Sequence, residues 1–163
     1  MSARFSTWIR IGGRIERSKI EPLLKAIREA SVSLEWGDAC FEPKDADELL
    51  EAKESEWLRL CDDQASWGEF PELEAACRKL GLGYVRHTEA ALDCDAERVD
   101  FRHGMKKPLV RVGSNVNIDV TFVPSDALRE VISHLEGRQT DKALRALRKL
   151  CREVPELPPF EVV

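Results

Sequence analysis

His87, Asp93, Cys94, Asp95 and His103 are the side chains of this 163-residue chain whose types and closeness in sequence could do chemistry. Imidazole, thiolate and carboxylate are the groups that bind zinc or run nucleophilic catalysis. Their spacing matches no motif with a mechanism, and a Cys–His nucleophile pair needs its atoms within about 3 Å. An enzyme or metal site around His87, Cys94 and His103 is therefore the third-ranked functional reading. Asp62-Asp63 reads as a turn after a strand rather than as a metal-binding carboxylate pair. Walker A, G-x-G-x-x-G, H-E-x-x-H and G-x-S-x-G sequences are absent, so no catalytic residue, metal or cofactor is specified.

A second constellation is a doubled motif. Trp8-Ile9-Arg10-Ile11 returns as Trp57-Leu58-Arg59-Leu60, and at the same offset Pro71 matches Pro22, Leu73 matches Leu24 and Ala75 matches Ala26. Strand periodicity sends Ile9, Ile11, Leu58 and Leu60 to one face and Trp8, Arg10, Trp57 and Arg59 to the other. Two indoles and two guanidiniums on an open sheet face could stack bases and pair phosphates. The competing expectation is that the C-terminal third covers Trp8 and Trp57.

Charge is segregated beneath a mild total of −5. Glu42 to Cys77 holds twelve acids against three bases, a net of −9, whereas Gly137 to Arg152 holds six bases against Asp141. Large acidic patches steer basic partners. Trp36, Phe41 and Trp67 flank or interrupt the acidic stretch, where exposed aromatics would act as anchors inside a charged rim. In the basic segment Lys142, Arg145, Lys149 and Arg152 recur at helical spacing and could meet phosphates or an acidic surface.

The elements that must position these residues follow from periodicity. Phe5–Ile15 reads as a strand with Gly12-Gly13 permitting a bend. Ser18 and Glu21 predict a capping box ahead of a helix striped by Leu23, Leu24 and Ile27. Val32–Trp36 reads as a short strand, Asp45–Lys53 as a helical turn or two, and Leu73, Cys77 and Leu80 as the stripe of a second long helix stopped by Gly81. Leu82–His87 and Arg98–Arg102 read as strands, and Leu109–Val112 with Val116–Val123 as a hairpin. Ser125 and Thr140 open two amphipathic helices, and an extended tail follows Pro155.

The whole reads as one α+β domain in which tandem β-α-β units form a ferredoxin-like antiparallel sheet with helices on one face. The first unit covers 1–36, an acidic connector 37–56, the second unit 57–88, and strands, hairpin and two C-terminal helices 89–163. No stretch of about 18 apolar residues and no signal-peptide pattern is present, so a cytoplasmic protein off the membrane is expected. Five scattered cysteines without a C-x-x-C pair predict no disulfide framework; Cys61, Cys77 and Cys151 read as small buried apolar groups. The leading expectation is a non-enzymatic protein-binding module, such as an inhibitor or adaptor of the kind a phage or mobile element directs at a host complex. It would use Trp36, Phe41, Glu48, Glu51, Glu54 and Trp67 against a partner with a basic surface. Nucleic-acid binding through Trp8, Arg10, Trp57 and Arg59, or through the basic helix, is the alternative.

Overall fold

The computed structural model describes residues 3–91, 94–113, 125–150 and 154–163. Strand β1 (Arg4–Ile15) lies inside an open six-stranded sheet and is paired on both sides. On one side β2 (Leu58–Ser66) runs antiparallel, with Ile9 opposite Leu60, Arg10 opposite Arg59 and Ile11 opposite Leu58. On the other side β3 (Gly83–Thr88) is also antiparallel, with Ile11 opposite Tyr84 and Ile9 opposite Arg86. Strands β4 (Ala96–Phe101) and β5 (Leu109–Gly113) continue the sheet, each antiparallel to its neighbour, in the order β2-β1-β3-β4-β5. A short strand β6 (Phe160–Val162) pairs parallel with Gly13–Ile15.

Because β2 and β3 both oppose β1, they run parallel to each other with β1 between them. Helix α3 (Pro71–Leu80) makes the crossover from one to the other. Helix α1 (Glu21–Ala30) similarly leads from β1 to Val32-Ser33, on the far side of β2. There the expected strand Val32–Trp36 is reduced to one bridge, Ser33 with Cys61. The chain curls back instead of extending: Phe41 donates its N–H to Val32 O, and Ser33 Oγ donates to Asp38 O.

The helix ends separate two kinds of capping. The expected capping box of Ser18 and Glu21 does not form. Residues Arg17–Lys19 make a 3-10 turn that runs directly into α1, so no extended N-cap residue precedes the helix, and Ser18 Oγ turns to Glu16. Helix α2 (Ala46–Glu51) is capped by side chains: Asp45 accepts from the N–H groups of Asp47 and Glu48, and Glu48 accepts from Lys44 N–H at 2.9 Å. Gly81 ends α3 in the left-handed conformation, as its position predicts.

Ile9, Ile11, Leu58, Leu60 and Tyr84 point to the side on which α1 and α3 lie, and pack with Leu23, Leu24, Ile27, Leu73, Cys77 and Phe160. Each of these residues has lost nearly all its solvent contact, which is where most of the stabilising free energy arises. Burial pushes the Cys77 thiol well above its ordinary value, as expected of an inert apolar group. Helices α4 (Ser125–Glu136) and α5 (Thr140–Leu150) form where Ser125 and Thr140 open them and pack against each other, but only Val131 and Ala143 are buried among their described apolar residues, with Leu128, Ile132, Leu135, Leu144 and Leu147 exposed. The second arm of the expected hairpin, Val116–Val123, lies outside the described residues. Among the described residues no helix is long and apolar enough to cross a membrane.

One polar network enters the helix-side core. Arg86 Nε lies 2.9 Å from Glu74 Oε1, another Arg86 nitrogen contacts Glu97, and a third donates to Gly68 O and Thr88 Oγ1. Glu74 also accepts from Tyr84 Oη at 2.9 Å, which in turn accepts from Arg78. The network ties α3 to β3, β4 and the turn before α3. Removing Glu74 leaves the buried Arg86 with Glu97 as its remaining carboxylate and Tyr84 Oη without the acceptor it donates to. Glu74→Ala is accordingly expected to cost about 2–3 kcal/mol in denaturant unfolding. A loss below about 1 kcal/mol, the range of exposed pairs, would show that solvent screens this pair.

Candidate protein-interaction surface

The sheet face away from α1 and α3 carries the doubled motif. Trp8 stacks on His87 with ring centroids 5.5 Å apart and planes inclined by 19°. The Arg10 guanidinium lies 5.1 Å from the Trp8 ring and 5.6 Å from the Trp57 ring, a cation–π bracket. Arg59, directly opposite Arg10, pairs with Glu54 at 3.5 Å. The like charges are thus kept apart by assigning one to aromatic rings and the other to a carboxylate.

The segment Val154–Pro159 crosses one end of this face. Leu157 packs with Trp8, Cys61 and Val85. Trp57 donates its indole N–H to Leu157 O at 2.9 Å, and Arg102 Nε donates to Pro155 O at 2.7 Å. The crossing needs Gly12, where an added Cβ would lie 2.0 Å from Pro158 O and 2.9 Å from Leu157 Cγ. Gly12 therefore serves close backbone approach, while Gly13 takes a φ of 111°, open to glycine, where β1 passes from pairing β3 to pairing β6. Trp8 is left 4% exposed and Trp57 half-buried. Base stacking would require open indoles, and Trp8 is not open here.

Beyond this segment, the same face holds Asp100, fully buried among Arg98 Nε at 3.0 Å, Arg102 at 3.6 Å and Arg111 at 3.7 Å. Neither this cage nor the Glu74–Arg86 network is visible as a sequence motif. The available signals were a Glu inside the apolar stripe of α3 and charged residues alternating along β4.

The structure does not bring the third-ranked constellation together. His87 is buried beneath Trp8 on β3, Cys94 is exposed ahead of β4, and His103 is exposed beyond the other end of β4, beside Gly81. A six-residue strand separates Cys94 from His103 by about 20 Å of chain. Among the described residues no group of three or more His, Cys, Asp or Glu side chains could hold a metal.

The acidic stretch divides into acids with internal work and acids without. Asp45 and Glu48 cap α2, Asp47 forms a two-bonded pair with Arg17 at 2.7 and 3.1 Å, and Glu54 pairs with Arg59. The Arg17 guanidinium holds the Asp47 carboxyl below its ordinary range. Glu51 projects into solvent from α2. Phe41 is half-buried and packs against the main core, while Trp36 is 39% exposed in the curl after Ser33. On α5, Lys142 and Arg145 are exposed; the side chain of Lys149, and Arg152 altogether, lie outside the described residues.

Trp67 differs from every other indole. It is 63% exposed and has a φ of 57°, the left-handed region that a bulky side chain disfavours. Its backbone is nevertheless locked. Trp67 N–H donates to Ala3 O at 2.9 Å, and the next carbonyl, Gly68 O, accepts from Thr88 Oγ1 at 2.8 Å and from Arg86. An added Cβ at Gly68 would meet Thr88 Cγ2 at 2.3 Å, so the turn can close only on glycine. The indole is therefore held outward on a rigid base. Around this end of the sheet Asp63, Glu69, Glu72 and Glu89 are exposed, while of the bases near the turn Arg4 is exposed and Arg86 is buried in its ion pairs.

The described chain is thus a mixed α+β protein with an open sheet, carrying a helix layer on one face and a partly covered polar face on the other. No protein-family model matches it, and neither the curated proteins nor the solved structures contain a match.

His87 supplies a pH test of the covered face. Burial first, and the Arg98 guanidinium second, lower its pKa from the ordinary 6.5. As pH falls through 6.5 the unfolded chain takes up the proton before the folded one, so stability declines from there down to the folded value. His87→Phe is expected to unfold with a shallower loss of stability than the parent between neutral pH and about pH 5. Parallel pH profiles of the two proteins in urea unfolding would rule out a depressed His87.

Proposed function

We propose that this chain is a non-enzymatic protein-binding module, a small inhibitor or adaptor, that grips a basic partner around Trp67. The observation that carries the proposal is a large indole held in solvent by a locked turn. Its exposure forfeits the free energy of burial, and its positive φ costs about 1–2 kcal/mol relative to the right-handed conformation. Neither feature stabilises the fold, so the benefit of a tryptophan at this position lies outside it. Rigid aromatics are the side chains that most often anchor interfaces, because little conformational freedom is lost when they dock. The exposed carboxylates Asp63, Glu69, Glu72 and Glu89 give the anchor an acidic rim. Such a rim speeds encounter with a basic surface and discriminates against acidic ones. Glu51 lies apart from this rim, on the helix whose Asp47 pairs with Arg17 beyond the other end of β1.

We read the sheet beneath this surface as ferredoxin-like. If the Ser33 bridge is counted as a reduced strand, the order becomes Ser33, β2, β1, β3, with α1 and α3 as crossovers on one face. The likeness concerns architecture and adds nothing about activity. A cytoplasmic setting belongs to the same proposal and is supported by free thiols at Cys40, Cys61, Cys77 and Cys94.

Trp67→Gly separates binding from folding. Thermal unfolding should be unchanged or improved by up to about 1 kcal/mol, since glycine accepts the left-handed turn. Capture of a basic protein from cell extract, in the presence of nuclease, should be lost. Capture that persists in the variant would refute the anchor, and a large fall in stability would return Trp67 to the fold.

A further inference from the structure

The turn that carries Trp67 is not one that its own residues favour. Ser66, Trp67, Gly68 and Glu69 close on a hydrogen bond from Glu69 N–H to Ser66 O at 3.2 Å, and the two central residues have φ of 57° and 67°. Positive φ at both central positions is the pattern of a type I′ turn, whose first central residue is ordinarily Asn, Asp or Gly. A tryptophan there favours other turns, so the conformation is imposed from outside these four residues.

The end of β3 imposes it. Thr88 is buried, and its hydroxyl donates to Gly68 O at 2.8 Å. The same oxygen accepts from Arg86 at 2.9 Å and lies 3.4 Å from Oγ1 of Thr7, the residue opposite it in β1. A hydroxyl has one proton and two lone pairs, so the Thr88 oxygen is met on every bonding side and its rotamer is fixed. Arg86 also donates to Gly68 O, but its other nitrogens are committed to Glu74 and Glu97, so α3 and β4 decide its place. The one proton of Thr88 serves the turn alone. Trp67 N–H is held by Ala3 O and Gly68 N–H by Ala65 O, which fixes the peptide groups on both sides of the Trp67 Cα. Only rotation about χ1 and χ2 is left to the indole.

We infer that Thr88 is a positioning residue for the Trp67 anchor. Its hydroxyl, acting through the Gly68 carbonyl, keeps the turn left-handed and so fixes the direction in which the indole leaves the surface. The inference rests on the reading of Trp67 as an anchor and adds what aims it. The strain of a left-handed tryptophan and the net worth of one hydrogen bond are of the same order. Losing the Thr88 bond therefore lets the turn sample conformations that point the indole elsewhere, although Arg86 still reaches Gly68 O. An anchor that was pre-organised then has to be ordered at the moment of docking, and affinity falls.

Nitrogen-15 relaxation of the full chain tests the inference without a partner. In Thr88→Val the order parameters of the Trp67 and Gly68 amides should drop from the rigid range near about 0.85 toward about 0.6, with Ile9 and Leu60 unchanged. Thr88→Ser keeps the hydroxyl and should keep the parent values. A hydroxyl that only stabilised the fold would change resistance to unfolding and leave the order parameters of the folded state where they were. The second arm uses the protein pool that the immobilised parent retains from nuclease-treated cell extract. Reapplied to Thr88→Val, that pool should be held about tenfold more weakly, and Thr88→Ser should restore it. Order parameters that do not move in Thr88→Val overturn the inference, as does an equal drop in Thr88→Ser. Undiminished retention by a Thr88→Val with a loosened turn overturns it as well. A parent that retains no protein removes the anchor reading of Trp67, while relaxation still decides whether Thr88 holds the turn.

Discussion

Strand β1 is paired on both sides along its middle, and its alternation divides the protein into two chemical halves. Ile9 and Ile11 face the helices, while Trp8, Arg10 and Gly12 face the segment 154–159. A slip of one residue against β2 or β3 would drive Arg10 into the apolar core and push Ile9 into solvent. It would also remove Gly12 from the only spacing that admits Pro158 O. Register along β1 is therefore enforced from three directions, by the helix layer, by the cation–π bracket and by the C-terminal crossing. The positions of α3, of the Trp67 turn and of the acidic end of the sheet all follow from it.

That alternation was legible in the sequence because β1 and β2 each place an apolar row beside a Trp/Arg row. Helices α1 and α3 were legible for the same kind of reason, and Gly81 marked the end of one of them. Strand β3 gave a weaker signal: it is buried on both faces, so Tyr84, Val85, Arg86 and His87 show no contrast between an inner and an outer side. The reduction of Val32–Trp36 to a single bridge was not legible, since it depends on a curl closed by Phe41 and Asp38. Ser18 has the right spacing for a capping box, but local spacing loses to a preceding 3-10 turn that fixes the helix start. At the candidate site, the type and exposure of Trp67 could be guessed from its acidic surroundings. Its left-handed backbone, and the lock made by Ala3, Gly68 and Thr88, arise from strands distant in sequence.

The polar residues show how one residue type takes different roles by position. Glu74 is a buried anchor for Arg86 and Tyr84, Glu48 closes a helix start, Glu54 offsets Arg59, and Glu69 faces water. Asp100 concentrates three guanidiniums around one carboxylate at a place where an unpaired charge would be costly. Net charge per segment therefore overstates the acidic surface, because some acids already have partners or caps. Of what remains exposed, Asp63, Glu69, Glu72 and Glu89 lie around the ends of β2 and β3 beside the outward indole, while Glu42, Glu51 and Glu56 lie elsewhere.

The pairing of β6 with β1 has a consequence for how the chain reaches its folded state. Gly13 hydrogen-bonds to Pro159 O, Val163 N–H reaches Ile15 O, and Phe160 completes the core under the first strand. Every partner of β1, from β2 through β3 to β6, lies far along the chain, so the central strand has no hairpin neighbour with which to nucleate. Loop-closure entropy must be overcome several times before the sheet gains its cooperative pairing, which puts this sheet among topologies that fold slowly for their size. During that interval the strand bearing Trp8, Ile9 and Ile11 has unsatisfied edges on both sides. The strand that is paired on both sides in the native state is thus an exposed hazard on the way there.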